Sequence, residues 1–169
     1  MPTRTIKPLF LIIVILILPV IVLAGQFKCT RVTDGDTITV ITDGQKSTIR
    51  LVGIDAPEKS RKKHEPGQPF SQSSTKYLAS LVLNKHVDIV SYGTDRYGRT
   101  LGVVYVDGKD VNLEMVRAGL AEVYRGRPAK GFDNEPYQKA EDAARSAGRG
   151  MWSLGDKYVS PKDWRKMSR

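Results

Sequence analysis

Between residues 26 and 105 the chain alternates short runs rich in Val, Ile and Thr with turn dipeptides, the pattern of β-strands joined by tight turns. Strands are expected over 27–33, 37–42, 47–53, 86–92 and 101–106. Asp43-Gly44 and Asp107-Gly108 fall between or after these runs; both residue types tolerate the positive φ of primed hairpin turns. Elsewhere apolar positions recur every three or four residues, as one face of a helix requires. Tyr77, Leu78, Leu81 and Val82 do so within 70–83, with Ser71 or Ser73 as the candidate N-cap. Val111, Met115, Val116 and Leu120 repeat the pattern, and Gly119 is placed to end that helix. Tyr137, Ala140, Ala144, Ala147 and Met151 mark a third helix over 134–151. Stripes of this kind are core faces rather than cofactor boxes.

Five short strands, a helix between the third and fourth, and further helices after the fifth predict an α+β, mainly β, architecture. The strand count matches a five-stranded Greek-key barrel of OB type with about three helices, a fold that binds oligonucleotides on one face. The predicted domain spans 25–154. Residues 59–69 have no apolar period and carry Arg61, Lys62, Lys63 and His64, so they are expected to form a mobile surface loop. Residues 155–169 are polar and basic and are expected to form a loosely packed tail.

The N-terminal residues carry Arg4 and Lys7 and run into an apolar stretch over 9–24. That order is the one found in a signal peptide or an N-terminal membrane anchor, and the length of the apolar stretch lies between the two. Pro19 and the small residues before Gly25 favour cleavage. Either reading puts the domain outside the cytoplasm, secreted or anchored through 9–24. The formal net charge is +9, and without Arg4 and Lys7 the remainder keeps +7. A basic domain attracts polyanions before any specific contact forms, which points to nucleic acid or an anionic membrane. Cys29 is the one cysteine, which excludes an intrachain disulfide and leaves the fold to its apolar core.

Three clusters set charged residues among turn residues and apolar runs: Asp34-Gly35-Asp36, the segment from Arg50 to Glu58, and Asp95-Arg96-Tyr97-Gly98-Arg99. Asp34-Gly35 alone reads as a plain turn, which leaves Asp36 unexplained. In the second cluster a strand ends in Asp55, and Pro57 stops its continuation. Two carboxylates and a backbone carbonyl on a fixed turn, joined by Asp36 from a neighbouring strand, make an oxygen-rich site for Ca²⁺ or another hard cation. Arg50 and Arg99 carry planar guanidinium groups that match a phosphate bidentately, and Tyr97 places a phenol beside them. The acids are expected to converge on one cation, with Arg50 and Arg99 facing them across a gap the width of a phosphate. His64 and His86 read as solvated residues rather than ligands.

The succession Val-Thr-Asp-Gly-Asp-Thr at 32–37, Arg-Leu-Val-Gly-Ile-Asp-Ala-Pro-Glu at 50–58, Asp-Arg-Tyr-Gly-Arg at 95–99 and Asp-Gly, Val-Asn and Val-Arg-Ala-Gly-Leu-Ala across 107–121 resembles the staphylococcal (thermonuclease-like) nuclease family. The resemblance covers about 26–152. It implies an OB barrel and a nuclease, cleaving DNA and with RNA a second candidate substrate. It further implies one Ca²⁺ held by Asp36, Asp55 and the carbonyl of Ala56, Glu58 as general base, and Arg50 and Arg99 on the phosphate. Arg96, Tyr97 and Tyr124 correspond to substrate-binding positions, and the products implied end in 3′-phosphates. Two departures are Ala56, where the best-known member has Thr, and Arg96, where it has Lys; neither removes a carbonyl or a charge. The contrasting reading is a non-catalytic OB module that binds nucleic acid or protein, but such relatives lack the charged site residues present here. A monomer is expected.

Overall fold

In the computed structural model, residues 27–60 and 64–167 are described. The export or anchor segment and the basic run 61–63 lie outside the described residues. Strands β1 (Phe27–Val32), β2 (Thr37–Thr42) and β3 (Gln45–Leu51) form an antiparallel meander. β1 also pairs with β5 (His86–Thr94), and β5 with β6 (Thr100–Val106). Parallel pairing of β3 with β6, Arg50 opposite Leu101, closes these five strands into a barrel. A two-residue β4 (Ile54–Asp55) pairs with β8 (Glu122–Val123), placing Asp55 opposite Glu122, and β7 (Lys109–Asp110) turns back to pair antiparallel with the end of β6. The five-stranded OB barrel predicted from the sequence is therefore the fold. Both Asp-Gly turns adopt positive φ, 50° and 77° at Asp43-Gly44 and 50° and 73° at Asp107-Gly108.

Helix α1 (Ser71–Val82) packs against β1 and buries Leu78 and Val82 in the core. Neither predicted serine caps it; Phe70 occupies the cap position at φ 68°, and Ser71 is the buried first helical residue. Helix α2 (Val111–Arg117) is capped by Asp110, whose side chain accepts from Leu113 N. Gly119, at φ 67°, turns the chain after it. The third predicted helix is shorter than its apolar stripe: α3 (Glu135–Ser146) stops before a 3₁₀ segment, Gly150–Lys157, that carries Met151 and Trp152. Ile38, Val40, Ile49, Leu51, Val87 and Val104 from the barrel meet Val111, Met115 and Val116 of α2 in one core, each such side chain contributing about 1.5–3 kcal/mol on burial. Cys29 is a buried, free strand residue. His64 and His86 are exposed, as expected.

Asn112 joins this core to the barrel seam. Buried, it accepts from Val104 N and donates to the carbonyls of Val52 and Gly102 at 3.0 Å each. Asn112→Ala would leave Val104 N and the Val52 carbonyl without that partner in the interior, where each costs about 1–3 kcal/mol, while the Gly102 carbonyl keeps Val52 N. A loss of about 3 kcal/mol in urea unfolding is expected, against less than about 0.5 kcal/mol for a surface substitution.

The C-terminal stretch is not the loose tail its composition predicts. After the 3₁₀ segment it forms α4 (Pro161–Met167), where Asp163 N donates to Ser160 Oγ and Pro161 takes the first helical position. Tyr158 donates to Glu122 Oε2 at 2.5 Å and its ring packs on Trp152 at 4.6 Å. Gln68 Nε2 donates to Val159 O at 2.7 Å, which also fixes that end of the 59–69 loop. Apolar anchors scattered in a basic run hold the segment against the barrel. Burial pushes the Glu122 carboxyl up from its ordinary value, with the Tyr158 hydroxyl opposing. Among the described residues no helix is long and apolar enough to cross a membrane.

Candidate active site

Gly35 shows why the first charged cluster has its shape. A Cβ there would stand 2.0 Å from Ser74 Oγ and 2.7 Å from Ala56 Cβ. The glycine therefore permits a close approach rather than forming a hairpin, and it seats Asp36 against the segment after β4. Asp36 Oδ2 accepts from Ala56 N at 2.9 Å, its Oδ1 accepts from Thr37 Oγ1 at 3.1 Å, and Leu51 N donates to its carbonyl. Gly53, at φ 79°, packs against Phe132 and turns the chain from β3 into β4. That turn folds Asp55 back onto Arg50, whose Nη2 lies 3.1 Å from Asp55 Oδ1. Arg50 Nη1 contacts Asp36 Oδ2. Glu58 is fixed through its backbone, N donating to Gln68 Oε1 at 3.0 Å.

The third cluster is a turn organised by Asp95. Its Oδ1 accepts from Tyr97 N and Arg99 N at 2.8 and 3.0 Å, and its Oδ2 takes Arg99 Nε and Nη2 at 2.8 and 2.7 Å. Burial pulls the Asp95 carboxyl slightly upward, but the hydrogen bonds from Arg99 and Tyr97 outweigh it and hold the group below its ordinary value. Tyr97 is 69% exposed, and the guanidinium groups of Arg96 and Arg99 stand 4.9 and 5.5 Å from its ring centre.

Asp36, Arg50, Ala56, Glu58, Arg96, Tyr97, Arg99 and Tyr124 all line one cavity of about 750 Å³. Asp55, 1% exposed, lies behind its wall and joins it through hydrogen bonds. All nine candidate site residues thus belong to one place. One expectation needs correction: Arg50 does not face the acids across a gap but stands between Asp36 and Asp55. The cause is burial. Asp36 and Asp55 are shielded from water, and a buried carboxylate needs a directly bonded counter-charge. Burial pushes the Asp36 carboxyl up while Arg50 opposes it. Burial would lower Arg50, but Asp36 and Asp55 more than compensate and keep it charged.

Sequence reasoning missed two charged contributors to the cavity, Arg127 and Arg165. Arg165 on α4 is the consequential one. Its Nη1 lies 3.0 Å from Asp55 Oδ1 and 2.5 Å from Glu58 Oε1, and its Nη2 lies 2.7 Å from Asp55 Oδ2. Ser160-Pro161 followed by Asp163 was the available sign that the tail is helical.

The donors fit a hard cation in chemistry: carboxylate oxygens, buried at Asp36 and Asp55 and half-buried at Glu58, drawn together tightly enough that one nitrogen, Arg165 Nη1, bonds both Asp55 and Glu58. Among the described residues, however, no group of three or more Asp, Glu, His or Cys side chains is poised to hold a metal ion. Asp36, Asp55 and Glu58 are turned onto arginines instead.

Residues 48–154 match the model of the family described as staphylococcal nuclease homologue. The chain is similar to an uncharacterized endonuclease of Haemophilus influenzae, 40% identical over 144 residues that cover 84% of this chain and 74% of that protein. It is similar to an uncharacterized endonuclease of Escherichia coli O157:H7, 42% identical over 140 residues, 82% of this chain and 83% of that protein. Protein ParB of Escherichia coli is 39% identical over 152 residues, 83% of this chain and 79% of that protein.

Proposed function

The chain belongs to the staphylococcal nuclease family, and we propose that it is a calcium-dependent nuclease that hydrolyses phosphodiester bonds of DNA, and of RNA where a single strand fits the same cavity. The observation that carries this reading is the clustering of Asp36, Asp55 and Glu58 with Arg50 at a cavity whose wall presents Arg99, held in place by Asp95.

In this mechanism Asp36, Asp55 and the Ala56 carbonyl would hold the calcium ion. When bound, the ion supplies Lewis-acid polarisation of the phosphate and makes water more acidic. Glu58 takes the proton from the attacking water, a step typically worth about 10²–10⁴ in rate. The water oxygen bonds to phosphorus and the bond to the 5′ oxygen breaks, leaving a 3′-phosphate. Arg50 and Arg99 neutralise the charge that builds on the phosphoryl oxygens. Because Asp95 already fixes Arg99, little reorganisation is needed when that charge develops. Tyr97 and Tyr124 offer ring faces to bases, and Arg96 adds backbone charge. The N-terminal segment 1–24 directs this activity outside the cytoplasm.

The full chain, purified in mild detergent, is to be incubated with single-stranded DNA and with RNA, in calcium and in excess chelator, with end-group analysis of the products. Cleavage that needs calcium and leaves 3′-phosphates is expected. Undiminished hydrolysis in chelator would exclude the metal mechanism, and binding without cleavage would make the chain a non-catalytic module.

A further inference from the structure

Helix α4 brings a cation to carboxylates that the nuclease reading assigns to metal binding and base catalysis. We propose that Arg165 is the resident counter-cation of Asp55 and Glu58, and that a divalent cation gains these carboxylates only as the guanidinium leaves them. The inference rests on the metal-dependent reading above.

Arg165 spans the two acids completely on the Asp55 side, one nitrogen on each of its oxygens, and shares Nη1 with Glu58. Asp55 Oδ1 also takes Arg50, so little lone-pair capacity remains there for another cation. An arginine guanidinium stays charged at any working pH. A dication could not share this spot with a guanidinium without strong repulsion. While Nη1 holds Glu58 Oε1, one lone pair of that oxygen is engaged.

The route out is open. The Arg165 side chain is a third exposed, and the anchors of the segment, Tyr158 on Glu122 and Val159 on Gln68, lie before the helix. Loss of the Arg165 contacts therefore need not release those anchors. Arg165 lines the same cavity as Arg50 and Arg99, so a short displacement leaves it beside the substrate space.

A cation that binds only molecules whose Arg165 has withdrawn is weakened by that fraction, about tenfold if one molecule in ten is open. Titration calorimetry with Ca²⁺ alone, on the full chain in detergent, compares the wild type with Arg165→Gln, Arg165→Lys and Asp36→Asn. Arg165→Gln is expected to bind calcium about tenfold tighter or more. Arg165→Lys should fall between, since an ammonium group cannot cover the same oxygens, and Asp36→Asn should lose binding. Hydrogen exchange of wild-type residues 161–167 should rise as calcium is added. Equal affinities in the wild type and both Arg165 variants, with unchanged exchange, would overturn the inference and leave the metal reading intact. Absence of calcium binding in every protein would overturn both.

Discussion

Glu58→Gln is expected to lower single-turnover cleavage of single-stranded DNA by about 10²–10⁴-fold, the usual worth of a positioned general base. The amide keeps the shape of the side chain and an oxygen that can accept from Arg165, and the backbone bond from Glu58 N to Gln68 is untouched. What it loses is the ability to take a proton. The pair with Arg165 is partly exposed, so stability should change by less than about 1 kcal/mol. Calcium binding should persist, since Asp36 and Asp55 remain. The decisive comparison is turnover against the thermal unfolding midpoint and the calcium isotherm. Wild-type turnover in Glu58→Gln would remove Glu58 from the chemistry, whereas a variant that fails to bind calcium would make it a ligand instead.

The strands were legible because β-branched runs and Asp-Gly turns encode them locally, and positions 43–44 and 107–108 adopt the backbone those residues favour. The charged site was legible for a related reason. Arg50 and Asp55 interrupt apolar strands, and Asp36 and Glu58 stand just outside them, where a charge requires an explanation. The cap of α1 was hidden, because Phe70 at φ 68° follows no propensity and is imposed by its surroundings. The C-terminal segment was hidden more thoroughly. Its fixing contacts, Gln68 with Val159 and Glu122 with Tyr158, join residues 91 and 36 positions apart and leave no periodic trace. Arg165 is one arginine in a basic run, and only the fold distinguishes it from its neighbours. The relation of Arg50 to the acids was mistaken for a similar reason: spacing gives the residues, but burial decides that acid and arginine touch before any phosphate arrives.

Arg50→Met should be costly twice over. Its side chain is 14% exposed and bonds both Asp36 and Asp55, so an apolar replacement leaves two buried carboxylates without that partner. Breaking a buried pair in this way typically costs about 3–5 kcal/mol. Asp55 keeps the Arg165 guanidinium, whereas Asp36 keeps the hydrogen bonds from Ala56 N and Thr37 but no cation among the contacts of the described residues, so most of the cost should fall on Asp36. Its carboxyl is already raised by burial, and Arg50 is what opposes the rise. Removing Arg50 raises it further in the folded state and not in the unfolded one. The variant's deficit should therefore be small in acid, where Asp36 is protonated in either protein. It should grow as pH climbs through and above the ordinary carboxylate range, and be largest near neutrality. Urea unfolding of wild type and variant at about pH 4 and pH 7 measures this directly. A deficit that does not depend on pH would mean that Arg50 acts through packing alone. Cleavage should fall as well, by about 10²–10³-fold, because one of two preorganised charges on the phosphate is gone. Arg50→Lys separates the two losses. A lysine can restore charge near Asp36, and with it much of the neutral-pH stability, but one ammonium group cannot reproduce the two-pronged contact with Asp36 and Asp55 or with a phosphate. Stability is therefore expected to recover in Arg50→Lys while turnover stays low, and recovery of both would show that charge without guanidinium geometry suffices.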